Sequence, residues 1–331
     1  MRITLFGSKD YDSLEYNLND SLVHLGHSVC HLDINDIVAI PFKYNFYATK
    51  FIKVYDEFVF KKVANRIIDS DPELIICVYR FINPLCIKLI KSRLPNVKII
   101  HINPDAVTTF QYQQIFASPY DAFFTKDQFI LDFMKNKMGL NAFYLPEAFN
   151  PRVHKMPNLN KEVVEQSVDL DVITFGSIYP YRANMVRHLI NSGIKVQLFG
   201  TPDKRFGSPD INQFFGNEYI TGKRKSELIF GSKVVFNNFH YAEVNSANVK
   251  FFEIAGIGGF QICDYKPCLE EYSIIPTEKF TFNTIGQAID LIKFYLDKPV
   301  LRYELAHKQY NHFLSNHTYE HRMNQMFNFL Q

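Results

Sequence analysis

The chain alternates short apolar runs, rich in β-branched and aromatic residues, with amphipathic stretches of helical length. Strands that alternate with helices in this way are typical of a parallel sheet covered by helices. In the first half, strands are predicted at 2–6, 28–33, 74–79, 97–102, 120–124 and 142–145, and helices near 13–25, 53–69, 83–93 and 128–138. The first half is therefore predicted to form one α/β domain.

The same alternation begins again after a polar connection. Residues 148–168 have no clear period and contain Pro151 and Pro157, which is typical of a loop. Beyond them, strands are predicted at 171–176, 195–199, 218–221, 233–239 and 260–264, and helices near 180–192, 224–230, 248–256 and 285–296. The tail 301–330 is predicted to be helical, with a break near 315–318 where Ser and Thr can cap a last helix.

These elements predict an α/β protein of two Rossmann-like domains, whose parallel sheets face each other across a cleft. The first domain is predicted at 1–150, the linker at 151–168 and the second domain at 169–300. The helices of 301–331 are expected to pack back toward the first domain. Ligands of such sheets bind at the carboxyl ends of the strands, where the strand order reverses.

Composition narrows the class of protein. The 331 residues suffice for two domains of ordinary size, and 47% hydrophobic with 21% charged residues indicates a globular protein. A net charge of +2 gives no strong overall attraction to nucleic acid or to an anionic membrane, although Lys223-Arg224-Lys225 is a local basic run.

Cysteine usage and hydropathy indicate the compartment. The five cysteines are odd in number and form no C-x-x-C motif, so neither a zinc site nor a disulfide framework is indicated. The chain opens directly on a strand-like run rather than on a signal peptide, and it has no apolar run of about 18 residues. We therefore expect a cytoplasmic protein.

The segment from Asn248 to Gly259 is the first candidate for binding chemistry. It places Lys250 and Glu253 three residues apart at the start of a predicted helix that follows a strand. Such a helix end offers free N–H groups and positive dipole charge to a phosphate, and a carboxylate one turn further along can bind ribose hydroxyls. The alternative is an amphipathic helix with Lys250 and Glu253 in solvent. Asn248 is predicted to cap this helix, which is compatible with a phosphate contact.

Four segments together resemble a known family. They are 171–182, 193–200, Thr221-Gly222-Lys223 and 248–259. They resemble the nucleotide-binding half of GT-B glycosyltransferases, most closely the CgeB-like (spore maturation protein) family. Residues 120–124 and 143–148 resemble later first-domain strands of that family, and the resemblance spans about 95–320. The second half is also similar to the bacteriophage DNA β-glucosyltransferase, another GT-B enzyme.

The resemblance implies an activity and its partners. We expect transfer of a hexose from a nucleoside-diphosphate sugar, with UDP as the expected nucleotide, to a hydroxyl of a glycan, glycoprotein or related acceptor. The first domain would bind the acceptor and the second the donor, and no cofactor other than the donor is expected. Two alternatives stay open, namely glucosylation of hydroxymethylated bases in phage DNA and non-catalytic binding of a nucleotide sugar.

Further donor-site candidates follow from the same segments. The backbone of Gly176 and Ser177, at the end of a predicted strand, can meet phosphate, and Arg182 can reach the same anion. Lys223 either contacts the nucleobase through its backbone or is a surface charge. Arg182 has the alternative of a solvated helix charge.

The resemblance to the phage enzyme also implies a base. Asp105, after the predicted strand 97–102, stands at the position of its catalytic aspartate, with a turn residue after Pro104 as the alternative. Weaker candidates are Ser8 and Tyr11 in the first loop, and His101, which is alternatively a packed polar residue.

The sequence also departs from the family pattern. The position eight before Glu253 is Asn245 rather than a second glutamate, and Lys250 replaces the usual arginine, so inversion is expected but retention stays open. Asp169 and Asp171 form a D-x-D motif, which binds metal in glycosyltransferases of another fold. Because they precede a strand rather than follow one, we expect them in solvent and predict no metal site.

Overall fold

The computed structural model describes residues 1–106, 113–216 and 218–330. The chain divides into two compact units. Unit 1 contains Met1–Pro146 and the terminal segment from Tyr319, and unit 2 contains Glu147–Thr318. Each unit is built on its own parallel sheet.

The sheet of unit 1 has the strand order β2-β1-β3-β4-β5-β6, with every neighbouring pair parallel. The strands are β1 Arg2–Phe6, β2 Ser28–Leu32, β3 Leu74–Cys77, β4 Lys98–Asn103, β5 Ala122–Thr125 and β6 Ala142–Tyr144. The helices are α1 Leu14–His24, α2 Phe42–Phe51, α3 Lys53–Asp69, α4 Pro84–Arg93, α5 Gln114–Ala117, α6 Gln128–Asp132 and the last helix of the chain. All four residues of β3 are buried, as expected of a central strand covered on both faces.

The sheet of unit 2 has the order β11-β10-β9-β7-β8, again with every pair parallel. Its strands are β7 Leu170–Phe175, β8 Val196–Phe199, β9 Ser232–Asn237, β10 Gln261–Asp264 and β11 Thr281–Phe282. Its helices are α7 Lys161–Val168, α8 Pro180–Asn191, α9 Gly222–Gly231, α10 Val249–Ile257, α11 Leu269–Tyr272, α12 Ile285–Leu296 and α13 Pro299–Asn316. The last helix, α14 Tyr319–Leu330, returns the chain to unit 1.

Local sequence signals start several of these helices. Asn83 caps α4 by accepting a hydrogen bond from the Leu85 N–H, and Pro84 follows at the first helical position. Thr284 and Gln287 form a reciprocal capping box at the start of α12. These helices were predicted from the sequence at nearly the same bounds, and the structure confirms them.

The strand order fixes where each unit can hold a ligand. In unit 1 the first strand lies between β2 and β3, and in unit 2 its counterpart β7 lies between β8 and β9. The chain therefore leaves β1 and β3, and likewise β7 and β9, toward opposite sides of the sheet. The carboxyl ends of these strand pairs form the crevice in which doubly wound sheets bind ligands.

Two sequence predictions of local structure are wrong. Residues 218–221 form no strand: Ile220 is the only buried side chain among them, the Glu218 carbonyl accepts from the Gly200 N–H, and the Thr221 carbonyl accepts from the Lys225 N–H of α9. The predicted connection 148–168 contains the helix α7, which Asn160 caps by accepting from the Val163 N–H. Helix α7 has only about two turns, which is too short for a helical period of apolar residues to be recognised in the sequence.

The cores lie between the sheets and their helices. In unit 1, β3 packs with Val59, Phe60 and Val63 of α3. In unit 2, Ile173 and Val235 pack with Ile254 of α10. Among the described residues, no helix combines the length and the apolar character that crossing a bilayer requires.

Candidate functional site

The carboxyl ends of β7 and β9 in unit 2 form the main candidate site. Gly176 follows β7 at φ +99°, a backbone conformation that favours glycine. Gly200, after β8, packs its backbone on that of Gly176, because a Cβ at Gly200 would lie 2.3 Å from the Gly176 carbonyl oxygen. These two glycines let the strand ends approach closely and leave the Gly176 backbone accessible to side chains from two helices.

Arg182, in the first turn of α8, bridges the two strand ends. Its Nη1 donates to the carbonyls of Phe175 (3.3 Å) and Ser177 (3.0 Å), while Nε and Nη2 donate to Oδ1 (2.9 Å) and the carbonyl (3.0 Å) of Asn238. Burial lowers the pKa of Arg182, and the charge of Asp264 acts in the opposite direction. The guanidinium is therefore held rigidly at the crevice.

Lys250, the second residue of α10, reaches the same point. Its Nζ donates to the Phe175 carbonyl at 2.9 Å and lies 3.4 Å from the position that a Cβ on Gly176 would occupy, where Arg182 Nη1 lies at 3.7 Å. Burial, and secondly the charge of Arg182, push the pKa of Lys250 well below its usual value. Within the described part of the chain neither cation forms a salt bridge, so the pair presents net positive charge at the crevice.

Asn248 holds the start of α10. Its Oδ1 accepts from the Phe251 N–H at 3.0 Å, and its amide exchanges hydrogen bonds with the Asn237 amide at the end of β9. The predicted cap is therefore present. It aims the first turn of α10, with its positive dipole end, at the carboxyl ends of β7 and β9.

Glu253 lies one turn further into α10 and is buried. Its Oε1 lies 3.3 Å from His154 Nε2, and its Oε2 lies 3.1 Å from Lys225 Nζ. The alternative with Lys250 and Glu253 in solvent is therefore wrong, because residues 251–257 of α10 are buried and Lys250 is half-buried. Glu253 sits in a group of three buried ionisable side chains.

The structure separates the remaining donor-site candidates. Gly176, Ser177, Arg182, Asn248 and Lys250 come together around the ends of β7 and β9, and Ser177 is exposed there. The side chain of Lys223, on α9, is 92% exposed and lies 3.6 Å from Glu227. Its side chain is a surface charge.

Several residues of this site were not found from the sequence. Asn238, His154 and Lys225 come from a strand end, the connection and α9. Of these, Asn238 could have been found from the sequence, because it directly follows a strand that borders the crevice.

An aromatic group also lies beside Arg182: the rings of Tyr179 and His240 are 6.4 Å apart, and those of His240 and Tyr241 are 4.2 Å apart.

A second group of polar side chains lies at the carboxyl ends of β1, β3 and β4 in unit 1. Asp105, two residues after β4, is partly exposed and forms an ion pair with Arg80, which follows β3. Asn103 donates to the Asp105 carbonyl at 3.2 Å. The structure therefore places Asp105 at the carboxyl-end edge of the sheet, held by an arginine that the sequence did not single out.

Glu15 is a buried carboxyl at the same edge. It lies against Gly7, since a Cβ there would be 2.3 Å from the Glu15 Cγ. Burial raises the pKa of Glu15, and the nearby carboxylates Asp33 and Asp105 raise it further. Glu15 lies in the first turn of α1, the helix that follows β1, and this position was the sequence signal that could have identified it.

The weaker candidates of unit 1 are placed differently from one another. The Ser8 hydroxyl, in the first loop, accepts from the Asp10 N–H at 3.1 Å, and Tyr11 is exposed with its ring 5.1 Å from that of Tyr16. His101 is buried within β4, and burial lowers its pKa to about 4. The structure places the His101 ring against Tyr120 and Phe123, as the alternative of a packed polar residue expects, and its contact with a ligand stays a prediction.

The D-x-D motif lies at the other end of β7. Asp169 ends α7 at φ +48°, and Asp171 accepts a hydrogen bond from Lys233 Nζ at 2.5 Å. Both residues are at the amino end of the strand, while Gly176 is at its carboxyl end. The motif is therefore outside the crevice of unit 2.

Comparison with known proteins agrees with this architecture. A family model described as "Glycosyl transferase-like" matches residues 182–328, which is less than half of the chain. No curated protein matches the sequence. The segment 182–328 includes Arg182, Lys250 and Glu253.

Solved structures resemble the whole chain. Sucrose-phosphate synthase from Thermosynechococcus elongatus has a TM-score of 0.71 at 11% identity, covering 99% of this chain and 98% of that one. Anabaena HepE in complex with UDP-glucose has a TM-score of 0.67 at 9% identity (100% and 99% covered), and T4 phage β-glucosyltransferase with UDP-glucose 0.56 at 14% (99% and 98%). At such identities the likeness shows the fold, which is GT-B.

Proposed function

We propose that this protein is a glycosyltransferase that moves a hexose from a UDP-sugar to an acceptor hydroxyl. The observation that carries the proposal is the half-buried pair Arg182 and Lys250 around Gly176, at the carboxyl ends of β7 and β9. Two half-buried cations that form no salt bridge with the described residues favour an anion of more than one charge. A diphosphate meets that requirement.

The pair also suits the chemistry of transfer. As the acceptor oxygen bonds to the anomeric carbon, the bond from that carbon to the diphosphate oxygen breaks, and its electron pair leaves with the diphosphate. Arg182 is held by four hydrogen bonds, and Lys250 uses one of its three donors on Phe175. Cations that the protein already holds in position can stabilise the negative charge of the leaving diphosphate without any rearrangement of the site.

UDP is supported by the comparisons. Two of the structurally similar proteins, HepE and the phage β-glucosyltransferase, were solved with UDP-glucose. The match of residues 182–328 to a glycosyl transferase-like family covers the cation pair. We propose Glu253, oriented by His154 and Lys225, as the carboxylate nearest to the nucleoside side of the site.

Asp105 is the proposed base, and inversion the proposed outcome. In a direct displacement the proton of the acceptor hydroxyl passes to a carboxylate as the oxygen attacks. Asp105 is partly exposed at a ligand-binding edge of unit 1, and Arg80 fixes its orientation. Glu15, whose pKa is raised, is suited to hold a proton at the same edge and to donate a hydrogen bond to a sugar hydroxyl.

A glycan, glycoprotein or related molecule is the proposed acceptor. DNA is the second candidate, because the phage β-glucosyltransferase, described as a DNA-modifying enzyme, resembles this chain over 99% of its length. The net charge of +2 gives DNA no strong attraction. A nucleotide-sugar-binding protein without transfer activity is the candidate of another class.

The experiment that tests the proposal is calorimetric titration of the protein with UDP, GDP, TDP and their glucose derivatives, followed by an assay for slow hydrolysis of the tightest donor. We expect UDP compounds to bind and UDP-glucose to be hydrolysed. Binding without hydrolysis or transfer would identify a binding protein, and no binding at all would contradict the assignment. We also propose that EDTA leaves turnover unchanged, because Arg182 and Lys250 supply the positive charge.

A further inference from the structure

Helix α2 in unit 1 has its polar and apolar faces reversed. Its buried residues are Asn45 and Thr49, whereas Tyr44, Tyr47 and Phe51 are exposed, Tyr44 by 66% and Phe51 by 73%. Positions 44, 47 and 51 lie on one side of a helix, since they are three and four residues apart. A helix of a soluble protein normally turns such a stripe toward the core.

The reversed orientation of α2 is held by specific contacts. Asn45 accepts a hydrogen bond from the Tyr55 hydroxyl at 2.9 Å, and the Thr49 hydroxyl donates to the Phe46 carbonyl at 3.0 Å. The Phe46 ring packs 5.3 Å from that of Phe81. The polar side of α2 is therefore satisfied by the protein, and its aromatic side is directed outward.

The exposed apolar surface continues into α3. Ile52, the single residue between the two helices, is exposed, and so are Val54, by 80%, and Phe58. Positions 54 and 58 share one side of α3, while Val59 and Phe60 fill the core from the other side. We call the six side chains Tyr44, Tyr47, Phe51, Ile52, Val54 and Phe58 the α2–α3 face.

Lysines surround the α2–α3 face. They stand at 43, 50, 53, 61 and 62, against the two acidic residues Asp56 and Glu57 of the same segment. Asp56 accepts a hydrogen bond from Asn83, and Glu57 lies 3.9 Å from Lys53. The Lys62 ammonium lies 4.5 Å from the centre of the Phe58 ring, so charge and apolar surface are intermixed.

We propose that the α2–α3 face binds the surface of a lipid bilayer that carries anionic headgroups. Aromatic and aliphatic side chains enter the boundary between headgroups and acyl chains, while lysines reach the headgroup phosphates. A nucleic acid fits less well, because Ile52 and Val54 offer neither stacking nor hydrogen bonds. Pairing with a second copy would bring these lysines against the same lysines.

The test is sedimentation of the full chain with vesicles of phosphatidylcholine alone and of phosphatidylcholine mixed with phosphatidylglycerol. We expect binding to the mixed vesicles that weakens as salt is added, and little binding to the neutral ones. Lys43→Gln/Lys50→Gln should weaken binding about fivefold for each lysine, and Phe51→Ser/Val54→Ser should weaken it at least as much. All four side chains are exposed, so these variants should fold.

A matched control is available on α12 of unit 2. Lys293 and Phe294 are exposed neighbours there, and Lys293→Gln/Phe294→Ser should bind the mixed vesicles like the wild type. Equal vesicle binding by the α2–α3 variants and this control would overturn the proposal, as would no binding of the wild type to mixed vesicles. Salt-dependent binding of duplex DNA, lost with Lys43→Gln/Lys50→Gln and without any vesicle binding, would instead assign the face to nucleic acid.

Discussion

Arg182 and Lys250 form a pair that is unfavourable in the free protein. Both cations are half-buried, and burial, followed by the charge of Arg182, depresses the pKa of Lys250. Partly burying two like charges that form no salt bridge with the described residues costs free energy of folding, and a bound anion offsets that cost. A pair of this kind is typical of a site shaped for a ligand rather than for stability.

Lys250→Met should separate binding from stability. Removing a half-buried charge that forms no salt bridge with the described residues should stabilise the free protein by about 1–4 kcal/mol, while losing a charge-assisted phosphate contact should weaken UDP binding roughly ten- to a hundredfold. Thermal unfolding with and without UDP measures both effects. Lys223→Met, at a side chain that is 92% exposed, is the matched control. A less stable Lys250→Met protein with unchanged UDP affinity would contradict the assigned role.

The depressed pKa of Lys250 also predicts a pH dependence. A bound diphosphate favours the charged amine and raises its pKa, so binding takes up protons wherever the free amine is partly neutral. UDP affinity should therefore fall as the pH rises from neutral toward about 10. The stability of the free protein should rise over the same range, because its amine loses the proton more readily than the unfolded one. Titrations in buffers of different ionisation enthalpy measure the uptake, and Lys250→Met should lack it.

Asp105→Asn tests the proposed base. The change keeps the shape of the side chain but removes its basicity, so kcat should fall by roughly 10²–10⁴ while UDP binding stays nearly unchanged. Asp71→Asn is the control, since Asp71 is also a unit 1 aspartate paired with an arginine, Arg2, and its side chain is 83% exposed. An Asp105→Asn enzyme with most of its rate, or a product that retains the anomeric configuration of the donor, would reduce Asp105 to a turn residue.

At the scale of elements, the sequence predicted those whose apolar residues face the core. The strands β1, β7 and β9 and the helices α8 and α10 were found within one or two residues, and they carry Gly176, Arg182 and Lys250. Helix α2 was missed because its exposed aromatic residues and buried Asn45 and Thr49 reverse the expected pattern. His154 and Lys225 were missed because contacts between distant segments, rather than any local pattern, bring them to Glu253.

The backbone contact between Gly200 and Gly176 supports a prediction about elements. Gly200→Ala should destabilise unit 2 by more than about 1 kcal/mol and weaken UDP binding, because the new Cβ would push the turn after β8 away from Gly176. Gly193→Ala is the control: Gly193 also has a positive φ, of +85°, but a Cβ there meets nothing within 4 Å. Gly193→Ala should lower stability only through backbone strain, and it should leave UDP affinity unchanged. Equal effects of both variants on UDP binding would show that the close approach is not needed.

At the scale of the whole molecule, the two units share one plan. Each has five or more parallel strands with the first strand inside the sheet, and each places its polar group at the carboxyl ends of the strands around that position. The alternation of strands and helices was sufficient to predict two domains with parallel sheets, but not the strand order of either sheet. This pattern could not predict that the break in the tail separates α13 of unit 2 from α14 of unit 1. Both helices have apolar stripes, and an apolar stripe does not indicate which domain it packs against.

Removal of α14 tests how far unit 1 depends on the end of the chain. The Phe327 ring of α14 lies 5.0 Å from that of His27, Phe329 stacks 4.8 Å from Phe143, and Arg322 donates to the Pro146 carbonyl at 3.1 Å. Ending the chain at Thr318 would expose this apolar surface of unit 1, whereas every proposed donor contact lies in unit 2. Calorimetric unfolding should show a transition at lower temperature that UDP does not shift and a second one that UDP still raises. A single transition at the temperature of the full chain would contradict the assignment of α14 to unit 1. Loss of UDP binding in an otherwise folded truncation would instead show that the donor site extends beyond the contacts of Arg182 and Lys250.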